Sequence, residues 1–333
     1  FYNVNVGADD LIYDSTQFSW DRQNKKDVAT GKKYIFDEDR IVESIYRPFC
    51  RQHFYYDRQL NNCIYQMSKL FPTGREDNRL ICLPSVGDNK TFSVLMVDRI
   101  ADLHIIGAAQ CFPQWWYEQS AEANLFNGKQ FIRHSGVTDH ILELARERYG
   151  SSVSKDDIFY YVYGFLHVPL YRERFANELR KSLPKLILVS SAEDFWALSG
   201  AGRSLADLHL HYEEQPAPDG VEVEGALFGD YRVTKMKLSK DRRTLTYNHS
   251  IVIKNIPLRA YDYVVNGRSP LEWVLDRYRI KVDKASGLVN DPNLWCEEHS
   301  DPDYILRLIL SLITMSVRTM DIIDSLPPLE LDG

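Results

Sequence analysis

His209 and His211 alternate in the run Leu208-His209-Leu210-His211-Tyr212. On a strand they would share one face and could ligate a metal ion. The preceding Ser204-Leu205-Ala206-Asp207 has a helical pattern, which turns them apart and leaves ordinary packed or surface imidazoles. Asp88-Asn89-Lys90 offers the Asp-x-Lys of a metal-dependent nuclease, with Asp77 as a partner carboxylate, but Gly87-Asp88-Asn89-Lys90 also reads as a turn between two strands. An ATPase needs a glycine-rich loop ending Gly-Lys-Ser/Thr; Gly31-Lys32-Lys33 and Gly128-Lys129-Gln130 come nearest and both fail. An adenine methyltransferase needs an Asp/Asn-Pro-Pro-Tyr/Phe turn to grip the flipped base, which neither Asp291-Pro292-Asn293 nor Leu326-Pro327-Pro328-Leu329 supplies. Gly200-Ala201-Gly202 opens like a dinucleotide fingerprint but lacks the third glycine, and reads as a turn or a close packing point. There is no Gly-x-Ser-x-Gly elbow. The residues point to no catalytic and no metal site.

The positive signal is electrostatic. Residues 231–259 carry Arg232, Lys235, Lys237, Lys240, Arg242, Arg243, Lys254 and Arg259 against the single acid Asp241, a surplus of seven positive charges in a chain of net charge -7. On a strand Tyr231, Val233, Lys235 and Lys237 share a face, and residues 239–243 form the tip of a hairpin. Such a hairpin, with Tyr247 and Asn248 nearby, could lie along a DNA groove, Lys on phosphate and Arg on the acceptor edge of guanine. A solvated sheet face is the alternative. Candidate DNA contacts are therefore Lys235, Lys237, Lys240, Arg242 and Arg243, and after them the loops around Arg75 and Asn89-Lys90.

Elements must hold these side chains. Up to about residue 150 the chain is strand-rich: Ile81-Cys82-Leu83 and the apolar run 92–97 are bounded by Pro84, Gly87-Asp88-Asn89 and Asp98. Residues 151–333 mix helices with the basic hairpin. Ser154 with Asp157 predicts a capped helix, with Ile158, Tyr161, Val162 and Phe165 on one face. Pro169 opens the next helix, with Tyr171, Phe175 and Leu179 inward and Arg172, Arg174, Arg180 and Lys181 outward. Ser269-Pro270-Leu271-Glu272 is a strong helix start. A final apolar helix spans about 303–325. Strands and helices alternate without regular βαβ spacing, which predicts a mixed α+β fold. The stretch 213–220 and residues 150–154 read as loops.

The totals agree. With 333 residues, 44% hydrophobic and 12% aromatic, the chain can bury one large core or two smaller ones. The net charge of -7 excludes a stand-alone binder driven by overall charge, so DNA binding requires a local patch or a companion module. Five cysteines, with no C-x-x-C, fit a reducing cytoplasm. The apolar stretch 308–317 is too short to span a bilayer. The chain begins Phe1-Tyr2-Asn3 without a starting Met and reads as a fragment of a longer polypeptide.

Several segments resemble one family together, in one order across nearly the whole chain. They are Tyr46-Arg47-Pro48-Phe49 running on to Tyr55-Tyr56-Asp57-Arg58, Phe92-Ser93-Val94-Leu95, Gln110-Cys111-Phe112-Pro113, and residues 157–167. Further on come Gly202-Arg203-Ser204-Leu205-Ala206-Asp207-Leu208-His209, Tyr263-Val264-Val265-Asn266-Gly267-Arg268-Ser269, and residues 286–293. The series resembles the C-terminal specificity region of Type ISP restriction-modification enzymes, a bacterial defence family. The resemblance implies duplex DNA as partner, together with upstream modules of the same polypeptide: a nuclease, a helicase-like translocase and an adenine-N6 methyltransferase. S-adenosylmethionine, ATP and Mg would serve those modules, and no cofactor is implied for this region. Base-reading residues do not carry over, because shared segments serve as scaffold while readout differs between members. In 46–58, Arg47, Arg51 and Arg58 could touch phosphate or pair with Asp57. The expected function is recognition of a DNA target; the alternatives are a stand-alone nuclease using Asp77, Asp88 and Lys90, and an interaction scaffold without DNA contact.

Overall fold

The computed structural model describes residues 22–61, 64–88, 90–120, 130–225, 229–284, 287 and 289–329. Its first part holds α1 (Arg22–Ala29), β1 (Ile41–Arg47), β2 (Cys50–Tyr55), α2 (Met67–Leu70), β3 (Leu80–Pro84), β4 (Leu95–Val97), β5 (Ile100–Ala101), β6 (Ala109–Pro113), β7 (Trp115–Gln119), β8 (Phe131–Ser135) and α3 (Asp139–Tyr149). The strands pair in the orders β2-β1-β5, β4-β3-β6 and β7-β8, with β1–β5 parallel. The turn from β1 to β2 places Phe49 at φ 61°, a costly region for a bulky side chain. Burial to 1% exposure and an edge-on contact with Tyr212 at 5.3 Å hold it there. The strand predicted over 92–97 is shorter, Leu95–Val97, because Ser93 turns its hydroxyl to accept a hydrogen bond from the Asn266 amide at 3.0 Å.

Helices α4 (Lys155–Phe165), α5 (Pro169–Arg174), α6 (Glu178–Lys181) and α7 (Ala192–Leu210) follow. The Ser154 hydroxyl accepts from the Asp157 amide at 3.2 Å, while the Asp157 carboxylate accepts from the Ser154 amide at 2.9 Å, closing the predicted capping box. Ile158, Tyr161 and Phe165 are buried as the pattern requires, and so are Phe159, Tyr160, Tyr163 and Gly164, since α4 is enclosed on nearly every side. It crosses α7 at two glycines. A Cβ on Gly202 would stand 1.9 Å from the Tyr160 carbonyl oxygen, and one on Gly164 would stand 2.1 Å from that of Leu198. Gly200-Ala201-Gly202 is thus a close packing point inside a helix.

The last part comprises β9 (Glu222–Glu224), β10 (Lys237–Leu238), β11 (Leu245–Thr246), β12 (Val252–Lys254), α8 (Pro270–Arg277), β13 (Lys281–Val282), β14 (Val289–Asn290), α9 (Asn293–Glu298) and α10 (Tyr304–Asp324). Strands β10-β11-β12-β9 form one antiparallel sheet in that order. Ser269 caps α8 with Glu272, as predicted. In α10, Leu308, Ile309, Leu312, Ile313 and Met315 are fully buried, and no helix among the described residues is long and apolar enough to cross a membrane. The stretch 213–220 is pinned to α10: the Gln215 amide donates to the Ser311 hydroxyl and the Thr314 hydroxyl to the Pro216 carbonyl, both at 2.8 Å.

Two apolar cores result. One joins Val42, Ile45 and Phe49 to Val233, Leu245, Ile253, Leu271 and α10. The other packs Val94 and Met96 against α4 and α7. β3 serves both: Leu80 and Cys82 face the first, Ile81 and Leu83 the second, by the two-residue period of a strand. Neither core follows a division at residue 150. The architecture is a mixed α+β fold.

Candidate nucleic-acid interface

The basic hairpin forms where the charge pattern places it. Lys237 lies opposite Thr246 and Leu238 opposite Leu245. The Ser239 amide donates to the Thr244 carbonyl at 2.8 Å and the Arg242 amide to the Ser239 carbonyl at 3.1 Å, with Arg242 at φ 62°. Asp241 completes the turn by accepting from the Ser239 hydroxyl at 2.6 Å and the Arg243 amide at 3.2 Å; these donors, the Ser239 hydroxyl first, hold its carboxyl below the usual range.

The base of the hairpin is scaffold. Tyr247 and Asn248 are buried and face no groove: the Tyr247 hydroxyl donates to the Tyr231 carbonyl at 2.8 Å, and the Asn248 amide to the carbonyls of Asp230 at 2.6 Å and Arg232 at 3.1 Å. The expected shared face of Tyr231, Val233, Lys235 and Lys237 does not form. Val233 is fully buried while the two lysines are exposed, because residues 231–236 are held by the Val233–Asn293 hydrogen bonds and not by a strand ladder.

The eight cations divide into two sets. Arg232 pairs with Glu297 and, at 3.3 Å, with Asp291; Lys254 pairs with Glu224 at 2.7 Å; Arg259 pairs with Asp321 at 3.0 Å and Asp324 at 2.5 Å. Arg242 reaches Glu272 at 2.5 Å and lies 4.0 Å over the Tyr261 ring, so its guanidinium is engaged within the chain. Lys235, Lys237, Lys240 and Arg243 are exposed, and among the described residues no carboxylate lies within ion-pair distance of them. Lys90 approaches the same end of α8: its ammonium donates to the Asn266 carbonyl at 3.2 Å, three residues before the Ser269 cap that Glu272 shares with Arg242. Asn89 lies outside the described residues. Arg75 is exposed but donates to the carbonyls of Asp39 at 2.8 Å and Ile41 at 3.3 Å, at the start of β1.

Other sequence candidates separate. Asp88 accepts from the Lys90 amide at 2.8 Å in a turn, Asp77 is exposed, and among the described residues no three His, Cys, Asp or Glu side chains form a group that could hold a metal ion. Asp57 pairs with Arg40; Arg47 pairs with Asp102 at 2.6 Å and Arg51 with Glu213 at 3.2 Å, while Arg58 is exposed. His211 is exposed beside Asp207 at 3.0 Å, and His209 is buried. The Tyr163 hydroxyl accepts from the Met96 amide at 2.9 Å and is hydrogen-bonded to His209 Nδ1 at 2.5 Å, and His209 Nε2 is hydrogen-bonded to the Thr319 hydroxyl at 3.1 Å. Burial, aided by nearby Arg172, lowers the His209 pKa to about 3. Arg172, expected outward, is turned inward: its Nε donates to the Leu166 carbonyl at 2.6 Å, and burial lowers its pKa to about 10. Residues 92 and 263, distant in sequence, close over it, which a helical pattern cannot reveal. Sequence reasoning also passed over the ribbon β7–β8, although Trp115-Trp116-Tyr117 between Pro113 and Gly136 was a visible strand signal.

The scaffold is thus α+β, with Arg232, Arg242, Lys254 and Arg259 paired to carboxylates and, among the described residues, Lys235, Lys237, Lys240 and Arg243 outside ion-pair distance of one. The chain belongs to the Type ISP C-terminal specificity domain family, which matches residues 3–308. Three solved structures are similar to it. The ATP-dependent Type ISP restriction-modification enzyme LlaBIII bound to DNA shares 38% identity with a TM-score of 0.84, over 95% of this chain and 20% of that one. A nuclease-deletion mutant of the Type ISP enzyme LlaGI in complex with a DNA substrate mimic shares 39% identity with a TM-score of 0.82, over 100% and 25%. The DrdV–DNA complex shares 27% identity with a TM-score of 0.77, over 92% and 30%. The chain thus spans less than a third of each of these proteins. No curated protein matches it.

Proposed function

We propose that this chain is the DNA target-recognition part of a cytoplasmic Type ISP restriction-modification enzyme. It binds duplex DNA and sets the site at which an adenine-N6 methyltransferase and a translocase-nuclease of the same polypeptide act. The observation that carries this reading is the hairpin and the chain leading into it: Lys235, Lys237, Lys240 and Arg243 stand exposed and, among the described residues, outside ion-pair distance of a carboxylate, on a chain of net charge -7. The lysines suit phosphate as mobile point charges, and Arg243 can bond both acceptors of guanine. S-adenosylmethionine, ATP and Mg would serve the other modules. This chain has no phosphate loop and no methyltransferase turn, and among the described residues no three His, Cys, Asp or Glu side chains form a group that could hold a metal ion.

The test uses the complete polypeptide that carries this chain. Lys240→Ala weakens binding to all duplexes about equally and flattens the salt dependence. Arg243→Ala costs roughly 1–3 kcal/mol on the cognate site and less elsewhere. Arg242→Ala, by contrast, acts through its bond to Glu272 and lowers the melting temperature. A Lys235, Lys240 and Arg243 triple alanine variant that keeps wild-type affinity, salt slope and methylation specificity would refute the assignment.

A further inference from the structure

β7 and β8 pair with each other and, among the described strands, with no other sheet. Trp115, Trp116, Tyr117, Phe131 and Ile132 belong to neither apolar core, and Ile132 is 50% exposed. An isolated pair of strands is marginally stable in water, yet this one is fixed at its foot. The Asn78 side chain, 1% exposed, donates to the Trp115 carbonyl at 2.7 Å and accepts from the Trp115 amide at 3.1 Å. Just past β8, a Cβ on Gly136 would stand 2.0 Å from the carbonyl oxygen of Pro113 at the end of β6, so only glycine lets the two chain segments approach there. Buried Gln114, between β6 and β7, donates to Asp156 at the start of α4 at 2.9 Å. The fold thus holds rigidly a ribbon that fills no core.

The register gives the ribbon two faces. Tyr117 lies opposite Arg133 and Gln119 opposite Phe131, so Trp115, Tyr117, Gln119 and Arg133 share one face. The Arg133 guanidinium lies 4.3 Å over the Trp115 ring and beside the Tyr117 hydroxyl. Among the described residues no carboxylate pairs with it. Glu76 and Asp77 stand close enough to act on Tyr117, so this surface offers phosphate little attraction. What it offers is direction: a planar fork pre-set by an aromatic ring, and a carboxamide one pleat away.

We propose that the β7–β8 ribbon reads bases in the major groove, with Arg133 bonding the O6 and N7 acceptors of a guanine and Gln119 the N6 and N7 edge of an adenine. The major groove admits a two-stranded ribbon, and these are the pairings that the two side-chain geometries favour. The proposal rests on the reading of the chain as a DNA-recognition module and adds a second element to the hairpin, one that supplies specificity more than affinity.

Selection of bound duplexes from a random-sequence pool by the complete polypeptide tests it. The wild type selects a consensus. Arg133→Ala and Gln119→Ala each relax it at one position, with affinity for the selected duplex down about tenfold or more and affinity for unrelated duplexes nearly unchanged. Arg133→Lys, which keeps the charge and loses the fork, relaxes the same position as Arg133→Ala, and all three variants melt with the wild type. Selection of the unchanged consensus at wild-type affinity overturns the proposal, and assigns the ribbon to a protein contact if the variants then lose the coupling of binding to methylation. An equal loss on every duplex overturns it as well, by making Arg133 a phosphate contact. A wild type that selects no consensus refutes the underlying reading of the chain; a wild type that selects one while the variants match it refutes the ribbon alone.

Discussion

His209, 2% exposed between Tyr163 and Thr319, shows how one side chain couples stability to pH. Burial lowers its pKa from 6.5 to about 3. Below pH 6.5 the unfolded chain takes up a proton that the folded chain refuses until about pH 3, so acidification through that window favours unfolding. The stabilisation is fully present above pH 6.5 and is lost progressively as the pH falls toward 3. His167, also buried and shifted downward, acts in the same direction. Thermal melts from pH 7 to 5 should fall steadily, and His209→Gln should flatten part of that slope; an unchanged slope would show that His209 is not held neutral. The divergence of His209 and His211 was legible because a helix turns neighbours apart by local geometry. The inward turn of Arg172 was not, since its enclosure comes from residues far along the chain.

Among the elements, the helix starts were the most legible, because a capping box is complete within four residues. Ser154→Ala should cost on the order of 1 kcal/mol. Ser269→Ala should cost at least as much, because Ser269 is fully buried and its partner Glu272 also anchors Arg242. Chemical denaturation would measure both, and loss of DNA binding by Ser154→Ala at an unchanged melting temperature would contradict the cap assignment. The α4–α7 crossing makes a sharper demand. Gly202→Ala drives a methyl group into the Tyr160 carbonyl, which cannot rotate away as a side chain could, so about 1–3 kcal/mol or more should be lost. Gly200→Ala, which meets nothing within 4 Å, is the matched control and should be neutral or slightly stabilising. Short strands were read less well: Ser93 and residues 231–236 leave their ladders for side-chain hydrogen bonds that no alternation pattern encodes.

At the scale of the whole molecule, a net charge of -7 sets the background against which any DNA contact must work. If the four exposed cations Lys235, Lys237, Lys240 and Arg243 each displace a phosphate counterion, affinity should fall on the order of a hundredfold between about 50 and 200 mM salt. A fluorescence titration across that range checks it, and a nanomolar affinity that persists at high salt would show that the tip is not the principal contact. The α+β class and the basic hairpin were legible from composition and charge pattern. The make-up of the two cores was not, because the first gathers Leu80 with residues of the C-terminal sheet and helix that lie far along the chain.

β3 therefore has a thermodynamic consequence. A five-residue strand with one face in each core is a common wall, so neither core can melt while the other keeps its shape. The domain should unfold as a single cooperative unit, with calorimetric and van't Hoff enthalpies in agreement and its slowest-exchanging amides drawn together from β3, α7 and α10. Nor should it be divisible. Cutting at 213–220, where α10 grips the chain through Ser311 and Thr314, should leave two fragments that stay associated and that fail to fold when expressed apart.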